Sequence, residues 1–183
     1  MGDGGANTFP SSINLLSDHA FEARTSWTDM PNNTATSAYA DCRADNEESI
    51  KFGKNALFLS TGSGNASGAG VYQTVSGLSA GEYTFSAYLR AATDFTGTNA
   101  GAFLRVTDAS GNVLGTSECV SIMERDYTRI AVSFTLTAPQ SVKVQILANG
   151  NGRAFADGAQ LEKNPYASGD NGDVHYLSTF PPS

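Results

Sequence analysis

Gly81-Glu-Tyr-Thr-Phe-Ser-Ala-Tyr-Leu-Arg90 alternates without a break. Tyr83, Phe85, Ala87 and Leu89 fall on one face of an extended chain, and Thr84, Ser86, Tyr88 and Arg90 on the other. Successive side chains of a strand point to opposite sides, so this is the pattern of a strand with one face in a core and one toward solvent. Working outward, the pattern recurs. Ala102, Leu104 and Val106 alternate with Phe103, Arg105 and Thr107. Ile130, Val132, Phe134 and Leu136 alternate with Arg129, Ala131, Ser133 and Thr135. Val142, Val144 and Ile146 alternate with Lys143, Gln145 and Leu147. Shorter candidates lie at Ile13–Leu16, Ala38–Ala40, Ala56–Ser60, Gly70–Val75 and Phe155–Leu161. Asp108-Ala-Ser-Gly-Asn112 and Asn149-Gly-Asn-Gly152 read as hairpin turns. Only Asp45–Phe52 suggests a helical turn. Nine or ten short strands without helices predict an all-β fold, an antiparallel β-sandwich of jelly-roll type.

The 183 residues suit one such domain, with looser ends. Residues 1–12 read as a disordered leader or a cloning remnant, 13–163 as the sandwich, and 164–183 as a linker or a tail laid on its surface. Charged residues make up 16% of the chain, well below the ~25% of ordinary domains. Gly, Ser, Thr and Asn take their place. Eleven basic residues stand against eighteen acidic ones, for a net charge of −7. That balance argues against nucleic acid or an anionic membrane as partner, since both require clustered Lys and Arg. No apolar run approaches the ~18 residues of a membrane span. Cys42 and Cys119 permit one disulfide but lack metal-site spacing.

Three segments together resemble the carbohydrate-binding modules with a galactose-binding-like jelly roll, the CenC-type modules and their relatives. They are Asn14-Leu-Leu-Ser-Asp-His-Ala-Phe-Glu22 with Ser26-Trp-Thr28, then Val71-Tyr-Gln-Thr-Val-Ser-Gly-Leu-Ser-Ala-Gly-Glu-Tyr-Thr-Phe-Ser-Ala-Tyr-Leu89, then Ala154-Phe-Ala-Asp-Gly-Ala-Gln-Leu-Glu162. The resemblance spans roughly residues 13–163, in order. Gly158 departs from it, where the pattern has a second acid, and so does Ala154, where it has an aromatic. The resemblance implies a non-catalytic module that binds a polysaccharide or glycan, tethered to other domains of a larger secreted or bacterial surface protein. It also implies a structural Ca²⁺ held by Glu22 and Asp157, with backbone carbonyls from near His19 and near Lys51–Asn55, an oxygen-rich set of the kind Ca²⁺ takes. The alternative is a structural or adhesive spacer of a bacterial surface or phage tail protein, without a sugar ligand.

A sugar offers apolar C–H faces and hydroxyl rims. Its site therefore calls for aromatic rings with Asn, Gln, Asp or Arg beside them. The solvent-side faces of the central strands supply Tyr88 and Arg90, then Phe103 and Arg105 on the strand expected next to them, with Gln145 and Arg129 extending the set and Tyr39 and Tyr72 at its edge. Two other arrangements stay open. Tyr88 and Phe103 would form a small second core under a loop or the C-terminal segment, or the site would lie on the loop rim at Asp41, Asn46, Asp94, Phe95 and Asn99. Trp27 is read as core, and His19 and His175 as surface or capping groups. The loop acids Glu47, Glu48, Glu118, Glu124 and Asp126 form no pair of the kind glycoside hydrolysis uses, so an enzyme is not expected.

Overall fold

The computed structural model describes residues 13–33, 38–44, 49–62 and 65–169. Ten strands form two antiparallel sheets of five. Sheet A has the order β1-β4-β9-β6-β7, with β1 Thr28–Asp29, β4 Ala66–Leu78, β9 Gln140–Asn151, β6 Thr96–Asp108 and β7 Val113–Thr116. Sheet B has the order β2-β3-β10-β5-β8, with β2 Tyr39–Arg43, β3 Ala56–Ser60, β10 Arg153–Glu162, β5 Gly81–Ala91 and β8 Thr128–Leu136. The inner faces meet in one core, in which Phe85, Leu104, Val132 and Val144 share a single apolar cluster. The sandwich expected from the period-2 pattern is the fold observed.

Two details of the sequence reading change. Asn149-Gly-Asn-Gly152 is not a hairpin: β9 belongs to sheet A and β10 to sheet B, so the turn carries the chain from one sheet to the other. Gly150 makes the crossing possible. It has φ +82°, and a Cβ there would collide with the Thr96 carbonyl. The Asp108–Asn112 turn is a hairpin, tied by Asp108 Oδ1 accepting the amides of Ser110 and Asn112, 2.9 Å each. Ile13–Leu16 forms no strand. Asn14 ties this segment to β10 instead, donating to the Ala159 carbonyl and accepting the Leu161 amide. Residues 1–12 of the expected leader, 170–183 of the expected tail, the first half of the Asp45–Phe52 turn, Asn46 and His175 lie outside the described residues.

Candidate functional site

The chain changes sheets between β5 and β6, and this splits the expected site. β5 pairs with β10 and β8, whereas β6 pairs with β9 and β7. Tyr88 and Arg90 therefore project from the outside of sheet B. Phe103, Arg105 and Gln145 project from the outside of sheet A, across the whole thickness of the sandwich. Placing Phe103 and Arg105 on the strand beside Tyr88 and Arg90 is corrected by this pairing. Strict alternation tells which side of its own sheet a residue takes, but not which sheet its strand joins.

On sheet B the outer face is largely occupied. Tyr88 meets the Phe52 ring edge-on at 5.4 Å, with the Lys51 ammonium and the Arg129 guanidinium 5.0 and 5.6 Å from its centre. Arg90 donates Nε to the Glu124 carbonyl and lies over Phe155. Phe58 and Phe155 are buried, 5.2 Å apart, and the exposed Tyr39 leans on Phe58. The segment after β10 crosses the β5 and β8 end. Thr84 donates to the Asn164 carbonyl, Ser133 to that of Pro165 and Arg129 to that of Gly169. Tyr88 and Arg90 thus anchor covering segments, but the second core expected of Tyr88 with Phe103 does not form, because the two rings lie on opposite sheets.

On sheet A, Tyr72 of β4, Gln145 of β9, Arg105 of β6 and Thr116 of β7 pair in one cross-strand row. Tyr72 and Arg105 are half-buried, and the Lys143 ammonium lies 4.8 Å from the Tyr72 ring centre. Phe103 is not the exposed platform that its outward register suggests: it is 1% exposed. Its partner across the strands is the fully buried Leu147, and the Arg105 guanidinium lies 5.2 Å from its ring centre. Arg105 then reaches on over β9 toward Gly68. Gln145 is nearly buried as well, its amide directed at the Thr107 hydroxyl. Next along this face, beyond Leu147, the strands lose register between Ala66 and Ala69 and between Thr96 and Gly101. There a cleft of about 390 Å³ opens, lined by Asn65, Ser67, Thr98, Asn99 and Asn149 over the Gly150 backbone. Asn149 holds its floor, accepting the Gly68 amide and donating to the Asn99 carbonyl.

Of the described loop-rim residues, only Asn99 lines this cleft. Asp94 accepts the Met123 amide, Phe95 is buried under Gly152, and Asp41 sits exposed on the β2 edge. Sequence reasoning missed Asn65, Ser67, Thr98 and Asn149, the last of which it read as part of a hairpin turn. Their gathering depends on irregularities in three strands that no periodicity reveals. Trp27 lies in the core, 5.0 Å from Phe21 and donating Nε1 to the Asp18 carbonyl. Both thiols are free. Cys42 donates to the Ala23 carbonyl, and burial pushes it up to about 12.

Glu22 and Asp157 both brace the loop 51–55. Glu22 accepts the amides of Lys54 and Asn55 at 2.6 and 2.8 Å. Asp157 accepts those of Lys51, Phe52 and Gly158 at 2.8–3.0 Å. Gly53 is required at the crest, where its φ is +68° and any Cβ would strike the Glu22 carboxylate. Asp157 is fully buried, and burial, aided by the charge of Glu22, pushes its carboxyl up to about 7 against the pull of the three amides. The pair fits a cation in its charge: two neighbouring carboxylates, one deeply buried, gain from a positive ion. The carbonyl expected near His19 already accepts the Ala159 amide at 2.8 Å.

No protein-family model matches the sequence, and no curated protein does. The likeness is to solved structures, and it is one of fold. An arabinose-bound GH51 α-L-arabinofuranosidase superposes with a TM-score of 0.59 at 20% identity over 88% of this chain, which spans only 27% of that enzyme. The CBM22-1 xylan-binding domain from Paenibacillus barcinonensis Xyn10C gives 0.59 at 16% identity, with 86% of this chain and 98% of that domain covered. The module TmCBM61, solved with β-1,4-galactotriose, gives 0.58 at 17%, with 84% and 100% covered. The chain has the two-sheet jelly-roll architecture of these carbohydrate-binding modules, over nearly their whole length.

Proposed function

We propose that the chain is a non-catalytic carbohydrate-binding module of a larger protein acting outside the cell, and that it binds a polysaccharide or glycan on the outer face of sheet A. One observation carries this reading. The strip from Tyr72 past Gln145 and Arg105 to the cleft joins an accessible ring, a guanidinium and several side-chain amides on one rigid sheet. Rings suit the C–H faces of a sugar, and amides suit its hydroxyls. The fold supports the reading through its neighbours, two of which are a xylan-binding domain and a module solved with a galactotriose. Affinity electrophoresis against plant, host and microbial polysaccharides tests it. Retardation by one class supports binding, and mobility unchanged across the panel sinks it. Assaying reducing sugar in the same mixtures tests the absence of catalysis. The spacer reading draws on the burial of Phe103, which withdraws one aromatic ring from the face. A structural Ca²⁺ at Glu22 and Asp157 belongs to the same proposal; it would neutralise the carboxylate pair and clamp loop 51–55 to β10.

A further inference from the structure

We infer that the cleft between the starts of β4 and β6 and the end of β9 is a binding subsite of its own, and that it takes an uncharged, hydroxyl-rich sugar unit. This rests on the carbohydrate reading and narrows it. The polar groups lining the cleft are those of Asn65, Ser67, Thr98, Asn99 and Asn149, with no ionisable residue among them. Several have hydrogen-bonding capacity to spare. Asn65 spends its oxygen on Asn151 Nδ2, at 2.8 Å, and keeps its own amide donors. Asn149 has one amide proton beyond its two structural bonds. Among the described residues, the side chains of Ser67, Thr98 and Asn99 make no hydrogen bond.

Amides and hydroxyls both donate and accept. Sugar hydroxyls do the same, so each can be matched in both senses. A carboxylate or sulfate only accepts. It would waste the acceptor half of this lining and lose hydration without gaining a counter-charge. Arg105 is not part of the lining, and the net charge of −7 opposes anionic polymers at longer range. The volume, about 390 Å³, lies toward the low end of the ~300–1,000 Å³ typical of small-ligand sites, so the cleft suits a short piece of a chain. Asn99, in the lining, is held at φ +49°, a left-handed setting that Asn adopts more readily than most residues.

The test uses the whole chain, with neutral polysaccharides (xylan, galactan, arabinan, mixed-linkage glucan) and acidic ones (polygalacturonate, alginate, chondroitin sulfate) in affinity gels, followed by titration calorimetry on the best binder. Ser67→Ala and Asn99→Gly remove side chains that hold no structural bond, and glycine keeps the positive φ of position 99. Retardation by a neutral polymer, weakened roughly 3- to 10-fold by each variant as expected for a lost neutral hydrogen bond, with unchanged melting temperatures, is the expected result. Retardation by acidic polymers alone overturns the inference and leaves the carbohydrate reading standing. So does neutral binding that both variants leave intact but Tyr72→Ala abolishes. Silence across both panels overturns the two together.

Discussion

Mild acid will stabilise this protein in the absence of divalent cations, and Asp157 is the reason. Its carboxyl is fully buried and sits at about 7, above its ordinary 3.8, chiefly because burial penalises the charged form. Between those two values the native state keeps a proton that the unfolded chain has released. By linkage, stability then rises as pH falls from about 7 toward 4 and is lost as pH climbs through 7. A shift of about 3 units at ~1.36 kcal/mol each sets a ceiling of roughly 4 kcal/mol. From pH 8 to about 5.5, where most other carboxylates stay ionised, about 2 kcal/mol of it should appear. For a chain of this size, that raises the melting temperature by roughly 4–8 °C. The assay is thermal unfolding across that range in EDTA, for wild type and Asp157→Asn. The variant is neutral at every pH and can still accept the Lys51 and Phe52 amides, so its profile subtracts all other groups. A wild-type melting temperature that stays level or falls on acidification, or a slope that Asp157→Asn shares, refutes the reasoning.

Calcium provides the complementary measurement: at pH 8, millimolar Ca²⁺ should raise the melting temperature of wild type and flatten its pH profile, whereas Glu22→Gln should lose the response. Coinciding wild-type curves in EDTA and in calcium would leave the carboxylates as loop braces alone. Tyr72→Ala should weaken glycan binding by about 1–3 kcal/mol, on the scale of an aromatic contact, without a large change in melting temperature, as calorimetry and unfolding of the same sample would show. Phe103→Ala should instead destabilise the fold by roughly 3–5 kcal/mol, because it empties a buried site, a loss measurable by urea unfolding. Gly150→Ala should cost about 1–3 kcal/mol through its positive φ and the Thr96 carbonyl, again read in urea.

The sandwich was legible because burial on one side only writes itself into every second residue. β5, β6, β8 and β9 all show this, and the expected core residues Phe85, Leu104, Val132 and Val144 do meet. What alternation does not encode is partnership. Nothing in Tyr88 and Arg90 says that β5 lies beside β10, and nothing in Phe103 and Arg105 says that β6 lies beside β9. The eight expected contact residues were therefore divided between two faces: Tyr39, Tyr88, Arg90 and Arg129 on sheet B, and Tyr72, Phe103, Arg105 and Gln145 on sheet A. The short β7 was missed because Val113-Leu-Gly-Thr116 carries too few apolar positions to show a period. Phe103 and Leu147 misled for another reason. An outward register means solvent only where no long side chain folds back, and here Arg105 lies over the Phe103 ring.

What covers each face is therefore as decisive as what lies on it, and over the β5 and β8 end of sheet B the cover is organised by one buried residue. Glu162 ends β10 with no solvent exposure. Its carboxyl oxygens accept from Gln160 Nε2, from Asn164 Nδ2 at 3.1 Å, and from the Ser168 amide and hydroxyl at 3.0 and 2.5 Å. Residues 164–169 are folded back by these bonds onto Thr84, Ser133 and Arg129. Replacing the carboxyl by an amide, Glu162→Gln, puts N–H groups against donors that need an acceptor. It should cost about 1–3 kcal/mol, as for a buried polar group left without its partner, and loosen the segment over the β5 and β8 end. Unfolding in urea and hydrogen exchange at residues 164–169 would register both effects. Glycan affinity should not move, because the strip from Tyr72 to the cleft lies on the far side of the core. A variant that melts earlier yet binds as wild type separates cover from site. One whose affinity falls in step with the loosening of this segment places the ligand on sheet B and overturns the assignment to sheet A.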